Sequence, residues 1–277
     1  MNTAKVFGRF LLGWIALSAA QMVAGMVIHV NVPAMPNILP WLLVSNAMIV
    51  LAIGAAAMRS GWRGWKLGIA MFAVPAAIAV VNLIEGVIFL TGSHIDWSGT
   101  IRITLAGYAI AAVLWAFIFG SDLSKGPAAE WSFPERSLFQ KLWRLAFCSA
   151  AYVILYFTAG MIIFPYVRDF YATQHIPGFG EIVALQFLLR GPVFVLVCLL
   201  LMRMFRLPRL TGALAVGLAF TLLSGVAVLI IPNPFFPDAV RWVHLGEVTS
   251  SNFVFGCVVG WVWGQGQRVA HLAPAHA

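Results

Sequence analysis

Apolar residues run along this chain in eight long blocks, separated by short segments in which proline, arginine and lysine collect. The blocks cover about residues 8–30, 38–58, 67–91, 101–120, 142–164, 180–202, 208–231 and 240–264, each long enough to cross about 30 Å of hydrocarbon as a helix. Within a block the apolar positions are continuous and do not alternate, which argues against a lipid-facing β-strand with its period of two. The expected fold is all-α: a polytopic membrane bundle of eight transmembrane helices.

The connections differ in chemistry on the two sides. Lys5, Arg9, Arg59, Arg63, Lys66, Lys125, Arg136, Lys141, Arg144, Arg203, Arg206, Arg209 and Arg268 all fall on one side, 13 of the 17 basic residues. Cytoplasmic loops retain Lys and Arg, so this side is expected to be cytoplasmic, with both termini inside and the chain in a bacterial inner membrane. The opposite connections carry proline: VNVPAMPNILP, PYVRDFYATQHIPGFG and PNPFFPDA. Proline stops helices and stiffens these crossings, and Asp238 after Pro237 is placed to cap the last helix. Lys5 and Arg9 before LLGWIALSAA resemble the start of a signal peptide, but the apolar stretch runs on through MVAGMVI, so the first span is expected to be retained.

Residues 1–277 read as one membrane domain. The longest connection, 121–141, separates two halves of four spans, 1–120 and 142–265. Faint echoes link them: AGMVI at 24–28 with AGMII at 159–163, AMR at 57–59 with LMR at 201–203, and the spacing Arg102 to Gly107 with Arg241 to Gly246. An even number of spans per half would make these parallel repeats about an axis along the membrane normal, with a site between them.

Composition agrees with the pattern. The chain is 62% hydrophobic and 9% charged, against about 25% charged in soluble domains. The net charge of +8 follows from the basic side and suits anionic lipid; it does not point to nucleic acid. Cys148, Cys198 and Cys257 all lie within spans, without the spacing of a disulfide framework or a metal site. His29, His94, His175 and His244 have the chemistry of zinc ligands but no i, i+4 or HExxH arrangement. No metal or cofactor is expected, and no phosphate loop, nucleophile elbow or serine triad is present in the sequence.

Polar residues inside the spans gather in the proline-rich half of the membrane. Asn82 and Glu85 share a face of the third span, and Gln186 and Arg190 a face of the sixth. His244, Glu247 and Ser251 form a stripe on the eighth, near Asn252. Ser18, Gln21 and His29 align on the first, and Ser149, Tyr152 and Tyr156 on the fifth. An arginine at mid-membrane costs about 2.5 to 3.5 kcal/mol on insertion scales, so Arg190 should face the bundle interior and be paired. Glu85 is the first expected partner and Glu247 the second. Pro192 removes the N–H that would bond the Leu188 carbonyl, and Pro75 does the same for Met71. Arg102 and Arg241 are read as anchors reaching the headgroups, with Glu247 turned inward.

These groups predict a ligand site of Arg190, Glu85, Glu247, Asn82, Gln186, His244 and Asn252, opening to the outer side. It would bind, and in the most concrete form transport, a small polar or amphipathic molecule such as an anion or a lipid headgroup, with membrane lipids as the other partners. Two other classes fit the same residues. An intramembrane enzyme could act on a lipid-linked substrate at the outer leaflet, with Glu85 or Glu247 as base and Arg190 stabilising negative charge. A non-catalytic subunit or sensor would use the buried charges to fix packing and Asn252 to hold helices together.

Overall fold

A computed structural model describes residues 3–30, 37–89, 96–120, 135–174, 176–233 and 236–264. Among them every regular element is a helix: α1 (Thr3–Val27), α2 (Ile38–Ser60), α3 (Gly64–Phe89), α4 (Trp97–Gly120), α5 (Leu138–Tyr171), α6 (Phe179–Phe205), α7 (Arg209–Leu229) and α8 (Asp238–Trp263). The first seven are long and apolar enough to cross a membrane. At 26 residues α8 has the length as well, but polar residues from His244 to Asn252 dilute its apolar run. The chain is a multi-pass membrane protein, and helices are the regular elements of its described residues because hydrocarbon offers no partner for a free N–H or C=O.

Two helices contain a wider turn. Leu185–Arg190 in α6 and Leu222–Val226 in α7 are π-helical. In α6 the Gly191 N–H bonds the Gln186 carbonyl, five residues back, immediately before Pro192, which has no N–H to give.

The longest helix departs from expectation. α5 has 34 residues and extends through Pro165 to Tyr171, a stretch the sequence pattern assigns to a connection. Its last turns survive because Phe170 packs on Phe236 and Tyr171 on His244, contacts made by α8 and the segment before it. Two expectations at the start of α8 also fail. Asp238 does not cap the helix, whose N-cap position is Pro237; its Oδ1 accepts from Arg241 Nε and Nη2 at 3.3 and 2.9 Å. Arg241 is not a headgroup anchor, being 2% exposed. Its Nη1 donates to the carbonyls of Leu229 and Ile230, both at 2.9 Å. The end of α7 leaves those carbonyls without intrahelical partners, and their demand draws the guanidinium inward.

Neighbour relations repeat along the chain. α4 packs on α1 and α3, and α1 on α2; α8 packs on α5 and α7, and α5 on α6. Between these groups α2 and α3 face α6 and α7. The closest crossing is α7 with α8. A Cβ on Gly260 would lie 2.5 Å from the Ala213 Cα, and one on Gly256 2.7 Å from the Gly217 Cα. Gly256 and Gly260 on α8 thus oppose Ala213 and Gly217 on α7, the small-xxx-small pattern that lets membrane helices touch backbone to backbone. The core is apolar and dense, with Leu17, Ile53, Leu67, Met71, Trp115 and Phe119 fully buried. Trp115 Nε1 donates to the Gly13 carbonyl at 2.9 Å.

Candidate functional site

The π-turn of α6 presents Gln186 and Arg190, both buried, toward α3. Glu85 forms an ion pair with Arg190 through Nη1 and Oε1. The same oxygen accepts from Gln186 Nε2 at 3.0 Å. Arg190 Nη1 also reaches Gln186 Oε1 at 3.3 Å, and Nη2 donates to Asn82 Oδ1 at 3.0 Å. The guanidinium is thereby held in plane by three side chains, on α3 and on its own helix.

The network continues into the second π-turn. Asn82 Nδ2 makes a long 3.5 Å contact with the Ser224 carbonyl. Ser224 Oγ donates to the Phe220 carbonyl at 2.7 Å and accepts from Asn252 Nδ2 at 2.8 Å. Both π-turns therefore sit in this network, and such bulges occur often at functional sites because they re-aim side chains without ending the helix.

A second network lies nearer the proline-rich end. His244 Nδ1 is 2.6 Å from Glu247 Oε2, and Nε2 is 3.0 Å from the Tyr171 hydroxyl. An imidazole held between a carboxylate and a phenol has its orientation fixed at both nitrogens. Both side chains of the His244–Glu247 pair are about nine-tenths buried, at 11% and 9% exposure.

Aromatic rings close both ends of this polar layer. Toward the arginine-rich end, Tyr152, Phe194, Phe220 and Phe255 come one each from α5, α6, α7 and α8. They form a closed ring of three edge contacts and one tilted one, with successive centroids 5.3, 5.0, 5.6 and 5.0 Å apart. The Arg190 Cζ lies 5.6 and 5.1 Å from the Tyr152 and Phe194 centroids, a cation–π contact in a desolvated place. Toward the proline-rich end, Phe236 and Tyr171 flank His244 with centroids 5.1 and 5.8 Å away.

A groove of about 350 Å³ bounded by Ile88, Pro177, Glu181 and Leu185 runs along the seam of α3 and α6. The Glu85 side chain is 22% exposed while that of Arg190 is 8% exposed. Among the described residues, Glu85 Oε2 and Glu247 Oε1 take part in no hydrogen bond.

Of the residues expected to form the site, Arg190, Glu85, Gln186, Asn82 and Asn252 fall into one network, the last through Ser224. His244 and Glu247 belong to the other. Glu85, the first expected partner, is the one that pairs with Arg190. The sequence reading missed Tyr171, which it placed in a connection, and Ser224. It also missed Asn46, a fully buried residue of α2 whose Nδ2 donates to Gln21 Oε1 at 2.8 Å and Ser18 Oγ at 3.2 Å. Ser45 and Asn46 together in the apolar run of α2 were a legible signal; Tyr171 offered none. His94 and His175 lie outside the described residues, and among the described ones no three His, Cys, Asp or Glu side chains converge as metal ligands would. All three cysteines are free thiols.

No protein-family model, curated protein or solved structure matches this chain.

Proposed function

We propose that the protein sits in the cell membrane with its arginine-rich turns in the cytoplasm, and takes up a small organic cation such as a protonated amine from the outer side. The observation that carries this reading is the pair of uncommitted carboxylate oxygens, Glu85 Oε2 and Glu247 Oε1, in a layer otherwise closed by aromatic rings. Both Nη atoms of Arg190 are engaged by Glu85, Gln186 and Asn82, while its Nε is buried without a hydrogen-bond partner among the described residues; the free acceptors are the two carboxylate oxygens. Two carboxylates against one guanidinium also leave the layer one negative charge in excess when His244 is neutral, and a buried excess charge calls for a counterion. An anionic ligand, which a lone Arg190 would have suited, meets a guanidinium already paired with Glu85. Among the described residues of the groove, the charged one is the acidic Glu181.

Transport is the version of this activity that the architecture suits. The ion pair joins α3 to α6, so it bridges the groups α1–α4 and α5–α8. Taken as parallel repeats, these are the two bodies whose rocking would give alternating access. The ring of Tyr152, Phe194, Phe220 and Phe255 would then be the closed inner gate.

The test is binding to purified protein in lipid nanodiscs, comparing ethanolamine, choline and putrescine with phosphate, sulfate and acetate. Ammonium compounds should raise the melting temperature, and E85Q and E247Q should abolish that rise while the proteins still fold. Stabilisation by the anions instead, lost in R190A, would overturn the choice of charge. The hydrogen-bonded chain from Tyr171 through His244 to Glu247 also suits a general base, and hence an enzyme acting on a lipid-linked substrate. Consumption of such a substrate by wild type and not by H244Q would favour that activity over transport.

A further inference from the structure

At the other end of the bundle three arginines converge on one helix terminus. Arg209 Nε donates to the Trp261 carbonyl at 2.8 Å, Arg144 Nε to the Val262 carbonyl at 3.3 Å, and Arg136 Nη2 to the Trp263 carbonyl at 3.1 Å. These are the last three residues of α8, whose final carbonyls have no intrahelical N–H to accept from. The arginines come from three separate places, the segment before α5, the first turns of α5 and the start of α7, so the bundle itself brings them together.

A helix C-terminus carries roughly half a negative charge, whereas three guanidinium groups bring three positive ones, and guanidinium does not deprotonate to relieve the excess. Among the described residues none of the three arginines forms an ion pair with a carboxylate. The crowding is felt at Arg136, whose guanidinium is held below the usual arginine range by burial and by the nearby charges of Arg144 and Arg209. Among the described residues the donors are only partly spent: Arg136 Nη1 is buried without a partner, and neither Nη atom of Arg209 takes part in a hydrogen bond.

The surroundings fix the depth. Each guanidinium lies against an indole: Arg136 on Trp263, Arg144 on Trp143 and Arg209 on Trp261, at 5.5, 4.8 and 4.2 Å from the ring centroids. Trp143 and Trp261 are 42% and 50% exposed, as tryptophans at the boundary of hydrocarbon and headgroups are. Leu142 and Leu210, the sequence neighbours of Trp143 and Arg209, are also exposed and would lie against acyl chains.

We propose that Arg136, Arg144 and Arg209 form a site for the phosphate of an anionic phospholipid in the leaflet at the arginine-rich end. The phosphate supplies the missing counter-charge, the guanidinium groups offer the bidentate geometry that phosphate oxygens accept, and the tryptophans and flanking leucines hold the glycerol and chains. The site is separate from the polar layer around Arg190 and does not depend on what that layer binds.

The experiment is native mass spectrometry of detergent-purified protein titrated with phosphatidylglycerol, with phosphatidylcholine, and with inorganic phosphate or glycerol 3-phosphate. Phosphatidylglycerol should bind at one site. The R136Q/R209Q double variant should weaken it roughly thirtyfold, and K141Q, which removes a charge from the same end, should leave it within twofold. R209K, which keeps the charge and loses the fork, should fall between. Because the arginines also cap α8, the double variant could unfold. R144Q alone, scored on the folded fraction, then serves in its place and should weaken binding by several fold. Equal binding of phosphatidylcholine, or an equal loss in K141Q, would reduce the site to general surface charge and overturn the proposal. Soluble phosphate binding as tightly as the lipid would overturn the lipid as its occupant.

Discussion

Arg190 and Glu85 form an ion pair between α6 and α3 in which only one carboxylate oxygen takes part. The pair is both a structural tie between the two groups of four helices and an edge of the polar layer, because the Glu85 side chain is partly exposed while Arg190 is enclosed. Those two roles separate under mutation.

Removing either partner leaves a buried charge uncompensated, which typically costs about 3 to 5 kcal/mol. R190A and E85Q should each lower the unfolding temperature of the purified protein, and the R190M/E85L double variant should recover a large part of the loss. Strictly additive losses would show that the two charges do not support one another.

The α7–α8 crossing tolerates no side chain. Gly260→Leu would force the helices apart at a point where a bare Cβ already lies 2.5 Å from the Ala213 Cα. Overpacking commonly costs about 1 to 3 kcal/mol, and more where backbone has to move. Thermal unfolding should show a larger loss for G260L than for Gly246→Leu on the same helix, where a Cβ would meet nothing within 4 Å.

Phe194 closes the aromatic ring beneath Arg190 and is fully buried. Phe194→Ala should destabilise the protein by about 3 to 5 kcal/mol, as truncation of a packed phenylalanine does. If the ring is the inner gate, the variant reconstituted in vesicles should also leak small ammonium ions that the wild type retains. A destabilised variant that remains tight would assign the ring to packing alone.

Orientation can be read by labelling. In a background lacking Cys148, Cys198 and Cys257, a cysteine replacing the exposed Thr173 should react with a membrane-impermeant maleimide on intact cells. One replacing the exposed Lys141 should react only after the membrane is opened. The reverse pattern would invert the topology and move the polar layer to the cytoplasmic half.

Much of the site was legible because helical periodicity fixes local neighbours. His244 with Glu247, Gln186 with Arg190 and Asn82 with Glu85 are three or four residues apart, and each pair shares a face whatever the helix packs against. The cost of an unpaired guanidinium in hydrocarbon then required a carboxylate for Arg190. Tyr171 was hidden because YVRDFY is too polar to read as a span, and its helix persists only through contacts with Phe236 and His244. Arg241 was hidden for the converse reason: its position near a helix start suggests a headgroup anchor, but the carbonyls at the end of α7 claim it.

The sequence by itself determined the class of fold, the number of the helices and their approximate place, α5 excepted, and the proline-rich end of the bundle as the one where polar groups collect. All of these follow from the length of apolar runs and from a repeat of 3.6 residues. Only the tertiary structure decided that Glu85 and not Glu247 pairs with Arg190, that aromatic rings floor the layer, and that three distant arginines meet at the end of α8. Contacts between helices depend on rotation, register and crossing distance, and those are set by packing across the whole bundle, which no local spacing records.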